Sequence, residues 1–205
     1  ISQVFMVTGG GSMHLNHSLA THSLITCTHN HHEQACAMAA DSYFRLSGKL
    51  AVVNVTTGPG ATNAITGVYG AWTDSLGMLV ISGQVKWETT VQSTALPLRQ
   101  LGDQEINIIK SIESLTKYAI TITDPNSIKY HLDKAIYLAT SGRPGPTWID
   151  IPMNVQASII DTDELIGFDP SEIDEPWKNT DLPNICQTIL EKLSRAERPV
   201  ILAGT

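Results

Sequence analysis

Residues 49–73 read KLAVVNVTTGPGATNAITGVYGAWT, and this stretch decides the fold. Its first part carries apolar residues on both faces, which is typical of a strand that is covered on both sides. Gly58, Pro59 and Gly60 then turn the chain into a predicted helix that ends near Thr73. A buried strand that leads through a glycine turn into a helix indicates one βα unit of a parallel sheet.

The same alternation continues on both sides of this unit. We predict strands over residues 3–7, 24–28, 49–56, 78–82, 118–122 and 147–151, and helices over 12–21, 31–47, 61–73, 104–109 and 125–141. Parallel strands joined by helices need right-handed crossovers. Residues 1–151 are therefore predicted to form one α/β domain, a doubly wound, mostly parallel six-stranded sheet with helices on both faces.

Residues 152–183 break this pattern. They hold four prolines and eight acidic residues against one lysine, so this segment alone has the net charge of −7 that the whole chain has. Its low periodicity predicts an interdomain linker. Residues 184–195 then predict an amphipathic helix and residues 199–203 a strand, which together indicate the start of a second, central α/β domain at 184–205.

Both ends of the chain fall inside regular patterns. Ile1 lies within a strand pattern, and Thr205 directly follows an apolar run. We therefore expect a longer protein, in which a further helix of the first domain precedes Ile1. A targeting segment ahead of that helix stays open.

The composition excludes several classes of protein. With 42% hydrophobic and 16% charged residues, the chain is neither disordered nor a coiled coil. No apolar run approaches the roughly 20 residues of a membrane span. The negative charge argues against a nucleic-acid partner. The three cysteines are widely spaced and form no disulfide framework, which predicts a reducing compartment, the cytoplasm.

The most polar cluster, H-N-H-H-E-Q at residues 29–34, follows a predicted strand, where open parallel sheets bind ligands. Zinc binding is one interpretation, because imidazole and carboxylate groups are zinc ligands. However, His31 and His32 are adjacent and point in different directions. The other interpretation is a strand-to-helix turn, with Glu33 favoured in the first helical turn by the helix dipole. We predict no metal ligand in this chain.

The glycine turn at residues 58–60 is the second candidate site. A dinucleotide-binding fingerprint needs a third glycine where Asn63 stands, and no P-loop lysine follows. By spacing alone this is a tight turn, and contact with a ligand stays open.

Taken together, H-H-E-Q at residues 31–34 and T-T-G-P-G-A-T-N at residues 56–63 resemble the pyrimidine-binding domain of thiamine-diphosphate-dependent enzymes, in the acetolactate synthase-like branch. Further matching motifs stand in the expected order and cover essentially the whole chain. They are V-T-G-G-G at 7–11, I-S-G-Q-V at 81–85, Q-E at 104–105, T-K at 116–117, G-R-P-G-P-T-W-I-D-I-P-M-N-V-Q at 142–156 and R-P-V-I-L-A-G at 198–204.

The resemblance implies that the cofactor is thiamine diphosphate and that Glu33 is the catalytic residue. Its carboxyl group is expected to hydrogen-bond N1′ of the aminopyrimidine ring, which favours the imino tautomer that removes the C2 proton. The ylide so formed attacks a 2-oxo acid, pyruvate by expectation, and the thiazolium ring accepts the electrons when carbon dioxide leaves.

Further site residues follow from the resemblance alone. Glycines at the first turn permit a close approach of the backbone to the ring, because a Cβ would collide. The residues expected at the cofactor are Gly9, Gly10, Pro59 and Asn63. Those expected on the substrate side are Gly11, Gln104 and Lys117. Lys117 equally fits a surface lysine at a strand end.

The family holds Mg²⁺ and the diphosphate with a G-D-G…N signature in a third domain, and these 205 residues do not contain it. The resemblance therefore implies a homo-oligomer, a dimer or tetramer, with each site between subunits. It also implies that a fragment of this length is inactive alone. Binding of FAD as a further cofactor stays open.

Two departures from the acetolactate synthase pattern border the substrate channel. Residues 86–102 form a longer stretch that lacks Pro-Arg after Gln-Val, and T-G-G-G at 8–11 replaces Pro-Gly-Gly-Ala. The expected function is a carboligase that transfers an acyl carbanion equivalent from pyruvate to an acceptor carbonyl. Alternatives are a bulkier acceptor such as an activated keto-sugar, simple 2-oxo acid decarboxylation, and a non-catalytic cofactor-binding or regulatory α/β module.

Overall fold

The stretch that decides the fold forms the strand β3 (Val52–Val55), the glycine turn and the helix α3 (Pro59–Thr73). The computed structural model describes residues 1–173 and 181–203. The other strands are β1 (Gln3–Met6), β2 (Thr26–His29), β4 (Met78–Gln84), β5 (Tyr118–Thr121) and β6 (Pro146–Pro152). They form a six-stranded sheet in the order β2-β1-β3-β4-β6-β5, and every pairing is parallel.

Helices cover both faces of this sheet. They are α1 (Met13–Thr21), α2 (Glu33–Ser47), α3, α4 (Ile108–Ile112), α5 (Ile128–Thr140) and α6 (Met153–Gln156), and α7 (Leu182–Arg195) follows later in the chain. One apolar core lies under α2, α3 and α4, and the other lies under α1, α5 and α6. The predicted doubly wound α/β fold is therefore confirmed, with a sheet that is wholly parallel.

Most predicted elements differ from the structure by three residues or fewer at either end, and two differ more. The helix predicted over 104–109 begins only at Ile108, because the Asn107 side chain caps it and the preceding residues belong to a loop. The strand predicted over 199–203 is wrong: these residues pair with no strand among the described residues, and Leu202 is 97% exposed. An apolar run needs a neighbouring strand before it can form a ladder.

The chain divides into two compact units, Ile1–Asp169 and Pro170–Thr205. The first unit includes the start of the predicted linker, where the Phe168 ring lies 5.7 Å from that of Tyr130 on α5. Residues 174–180 of the predicted linker lie outside the described residues, and the domain boundaries stay a prediction. Among the described helices, none combines the length and apolar character that a membrane crossing requires.

Candidate functional site

Three turns meet at the carboxyl edge of the sheet. The first follows β1, the second leads into α2, and the third follows β3. Thr56, which follows β3, joins two of them: its Oγ1 accepts a hydrogen bond of 3.0 Å from the Gly11 backbone N–H. A Cβ at Gly9 would lie 2.5 Å from the Thr56 Cβ, so the first turn packs directly on the third. This edge is where open parallel sheets bind their ligands.

Glu33 is the first residue of α2 and is only 9% exposed. The side chain of His32 caps the helix by accepting a hydrogen bond from the Gln34 N–H at 3.1 Å, so this histidine serves the backbone turn. Asn63 on α3 donates to Glu33 Oε2 at 3.0 Å. Within the described residues, Oε1 accepts no hydrogen bond. The structure thus brings Glu33 and Asn63 together, with one carboxylate oxygen left to bind.

The chain is closely packed beside Glu33. A Cβ at Gly60 would lie 2.6 Å from the Thr56 Cγ2 and 3.5 Å from Glu33 Oε1, so only glycine leaves the carboxylate accessible from this side.

Burial raises the pKa of the Cys36 thiol to about 11, and the Glu33 carboxylate adds to this rise. Cys36 therefore remains a neutral thiol at neutral pH and is not a nucleophile.

Pro59 and Gln104 line one cleft of about 270 Å³, together with Gly58, Thr62, Glu105 and Ile106. A Cβ at Gly58 would lie 2.2 Å from the Gln104 carbonyl oxygen, so the two backbones are in contact. Both residues have positive φ angles, +58° at Gly58 and +59° at Gln104. Only glycine adopts a positive φ without steric cost, so the backbone of Gln104 is strained.

The two glycines expected at the cofactor ring differ. At Gly9 the Cβ collision is with Thr56, so glycine is required there by packing within the chain. At Gly10 no described atom lies within 4 Å of an added Cβ, so the chain itself leaves the space beside this residue open. Gly11 is buried, and its carbonyl oxygen packs against Gly83. The cofactor and substrate roles of these residues stay predictions.

Lys117 is not brought to this edge. It precedes β5, and its N–H donates to the Pro146 carbonyl at 2.8 Å, at the start of β6. Because the strands are parallel, Lys117 lies at the amino edge, where it lines a cavity of about 490 Å³ with Trp72 and Arg143. The predicted substrate-side role of Lys117 stays a prediction.

A buried polar network that the sequence analysis missed lies behind the site. Asp150 on β6 is 1% exposed and accepts hydrogen bonds from Ser82 at 2.6 Å and from Gln84 and Thr121 at 3.4 Å. The Trp148 indole donates to Ser82 Oγ at 2.8 Å. Burial raises the pKa of Asp150 to about 7, although the three hydrogen bonds oppose this rise. A single acidic residue inside an apolar strand is the sequence feature that points to such a network.

Across residues 1–173 and 181–203, no three His, Cys, Asp or Glu side chains are grouped so that they could hold a metal ion. The zinc interpretation of residues 29–34 therefore gains no support.

The chain is similar in sequence to enzymes that bind thiamine pyrophosphate and to acetolactate synthases. The family model described as "Thiamine pyrophosphate enzyme, N-terminal TPP binding domain" matches residues 1–110. The chain is 34% identical to acetolactate synthase 3, chloroplastic, of Brassica napus and 36% identical to the acetolactate synthase large subunit of Buchnera aphidicola, in both cases over 100% of the chain. It is 35% identical, over 84% of its length, to a probable acetolactate synthase large subunit of Methanocaldococcus jannaschii.

These alignments cover 30%, 34% and 28% of the three relatives, so the chain spans about a third of the length of the curated proteins it matches. The family model covers more than half of the chain, and it includes the turns that carry Glu33 and Asn63. The chain therefore belongs to the thiamine pyrophosphate enzyme family and contains its N-terminal TPP-binding domain, similar to that of acetolactate synthases.

Proposed function

We propose that this chain supplies the aminopyrimidine half of the active site in a thiamine-diphosphate-dependent 2-oxo acid decarboxylase and carboligase of the acetolactate synthase type. The observation that carries the proposal is the Glu33 carboxylate, buried at a helix start, with Oε2 bonded to Asn63 and Oε1 available. The names of the relatives support the reaction class, because they are acetolactate synthases.

The residues present fit an aminopyrimidine ring. The Glu33 side chain is largely buried, its Oε1 has no hydrogen-bond partner among the described residues, and Gly60 leaves space beside this oxygen. When bound, thiamine diphosphate supplies the carbon nucleophile and the electron sink for decarboxylation. Glu33 is the group that holds a proton at Oε1 toward the ring, and Asn63 fixes the carboxylate so that this oxygen faces outward.

The donor substrate under this proposal is pyruvate, and the loop at residues 86–102 selects the acceptor. Glu105 holds this loop by accepting backbone hydrogen bonds from Val91 at 2.8 Å and Gly102 at 2.5 Å. Asn154, which follows β6, accepts a third from Trp87 at 2.9 Å. The loop is therefore anchored near both of its ends. Its length favours an acceptor bulkier than pyruvate, such as an activated keto-sugar, as the second candidate.

The remaining components belong to the same proposal. Mg²⁺ and the diphosphate are bound by parts of a longer protein, and a second subunit completes each site. The three cysteines are free thiols, which suits the cytoplasm. FAD is a candidate second cofactor, and flavin absorbance of the purified full-length protein decides whether it is bound.

The test uses the full-length protein, stripped of cofactor and then supplied with thiamine diphosphate and Mg²⁺. Isotopically labelled pyruvate is added with a panel of acceptors, and the products are identified by NMR. We expect carbon dioxide release and a labelled carboligation product only when the cofactor is present. Cofactor binding without turnover would indicate the non-catalytic module, and a protein that binds no thiamine diphosphate would contradict the proposal altogether.

A further inference from the structure

Gln84, the last residue of β4, is 2% exposed and forms hydrogen bonds with four groups at once. Its Oε1 accepts from Thr57 Oγ1 at 2.5 Å and from the Val85 N–H at 3.1 Å. Its Nε2 donates to the Ile106 carbonyl at 3.0 Å and to Asp150 Oδ2 at 3.4 Å. A carboxamide has two donor hydrogens and two acceptor lone pairs, so every capacity of this side chain is used.

The orientation of the Gln84 amide follows from its partners. The Ile106 carbonyl can only accept, so it must face Nε2, and the Val85 N–H can only donate, so it must face Oε1. The Thr57 hydroxyl then donates to Oε1. No rotated amide satisfies these groups, which makes Gln84 a fixed link between the segments that it joins.

Those segments are the two sides of the candidate site. Thr57 begins the turn that carries Pro59, and Ile106 lies two residues after Gln104. Between them, the Gly58 and Gln104 backbones are in contact. The positive φ of Gln104 is a strained conformation that persists only where the surroundings fix it. Gln84 is the side chain that holds both sides of this strained contact.

We propose that Gln84 is a positioning residue, whose carboxamide holds the cofactor turn against the strained Gln104 backbone, with Asp150 as the buried anchor of the amide. This inference rests on the proposed function and adds a residue outside the cofactor and substrate contacts. A loss of this link shifts the turn relative to Gln104, and misplacement by about 1 Å can lower a rate by about a hundredfold.

The test compares Gln84→Met with Thr147→Val in the full-length protein. Methionine keeps the length of the side chain and removes all four hydrogen bonds. Thr147 is a matched control because it is equally buried on β6 but lies at the amino edge, where Oγ1 donates to the Ala135 carbonyl at 3.2 Å. We expect Gln84→Met to lower kcat/KM for pyruvate at least about tenfold, and Thr147→Val to leave it unchanged at a comparable melting temperature.

Gln84→Glu gives a readout that a merely structural role would not move. Asp150 is the ionisable group bonded to Gln84, and Thr57, Val85 and Ile106 present neutral groups. A protonated glutamic acid retains one of the two donor hydrogens of Nε2 and accepts as Oε1 does, whereas an ionised one donates nothing and repels the Asp150 carboxylate. We therefore expect Gln84→Glu to retain activity at low pH and to lose it relative to wild type as the pH rises.

The outcomes separate the two proposals. If wild-type protein binds no thiamine diphosphate, the proposed function fails. If wild type binds the cofactor and turns over, but Gln84→Met behaves as Thr147→Val does, the positioning role is overturned. Should Gln84→Met fail to fold, the pH profile decides: a constant ratio of Gln84→Glu to wild-type activity overturns the role, and a ratio that falls with pH supports it.

Discussion

Replacing Asp150 by asparagine should change how the stability of the protein depends on pH. In the unfolded chain Asp150 loses its proton near 3.8, and in the folded protein burial raises this pKa to about 7. Between pH 3.8 and about pH 7 the unfolded state binds fewer protons than the folded state. The contribution of Asp150 to the free energy of unfolding is therefore fully present below pH 3.8 and is lost as the pH rises through about 7. The asparagine side chain of the variant does not ionise and has no such dependence.

The size of this effect follows from the two pKa values. Each pKa unit is worth about 1.4 kcal/mol, so an ionised Asp150 costs the folded state up to about 4 kcal/mol. The pKa of about 7 already includes the hydrogen bonds from Ser82, Gln84 and Thr121, which lower the pKa and so oppose the effect of burial. The stability of Asp150→Asn relative to wild type should therefore increase by up to about 4 kcal/mol from about pH 4 to about pH 8.

The assay is urea unfolding of wild type and Asp150→Asn, followed by tryptophan fluorescence at several pH values. A constant difference between the two proteins comes from the altered hydrogen bonds, so only its change with pH is used. Asp163→Asn, at an exposed position, is the control and should show no such trend. A difference that stays constant with pH, or that shifts in favour of wild type as the pH rises, would refute the reasoning.

Three further variants test the site and the helix packing. Asn63→Ala removes the hydrogen bond that orients Glu33 and should raise the Kd for thiamine diphosphate about two- to tenfold, since a typical hydrogen bond contributes about 0.5 to 1.5 kcal/mol; titration calorimetry measures this, and an unchanged Kd would contradict the orienting role. Gly67→Ala should lower the free energy of unfolding by about 1 to 3 kcal/mol, because its Cβ would lie 2.5 Å from the Ala37 Cβ. At Gly70 an added Cβ would lie 3.7 Å from the nearest atom, so Gly70→Ala should raise the free energy of unfolding by up to about 1 kcal/mol. Equal effects of the two substitutions would count against the close packing of α2 and α3.

Local patterns were sufficient to predict the sheet and the position of Glu33. The apolar run before Gly58 and the glycine turn after it define a βα unit without reference to other parts of the chain. Glu33 follows a strand and opens a helix, and these two facts place it at the carboxyl edge of the sheet.

The network around Asp150 could not be predicted in this way. Ser82 and Asp150 are 68 residues apart in sequence and meet only because β4 and β6 pair in one register. Helical periodicity likewise failed at Gln104, where contacts with Gly58 and the bonds formed by Gln84 and Glu105 override the local preference. At Leu202 an apolar run was mistaken for a strand, because periodicity does not show whether a neighbouring strand exists.

The central claim is that Glu33 acts on the aminopyrimidine ring, and the exchange of the C2 proton of bound thiamine diphosphate tests it most directly. The full-length protein, Glu33→Gln and the control Glu113→Gln, at an exposed position, are saturated with cofactor and transferred into deuterium oxide. Exchange is then followed by NMR after rapid quenching. Glutamine can still accept from Asn63 but cannot share a proton with the ring. We predict that Glu33→Gln slows exchange at least about a hundredfold while Glu113→Gln matches wild type; wild-type exchange in Glu33→Gln would contradict the claim.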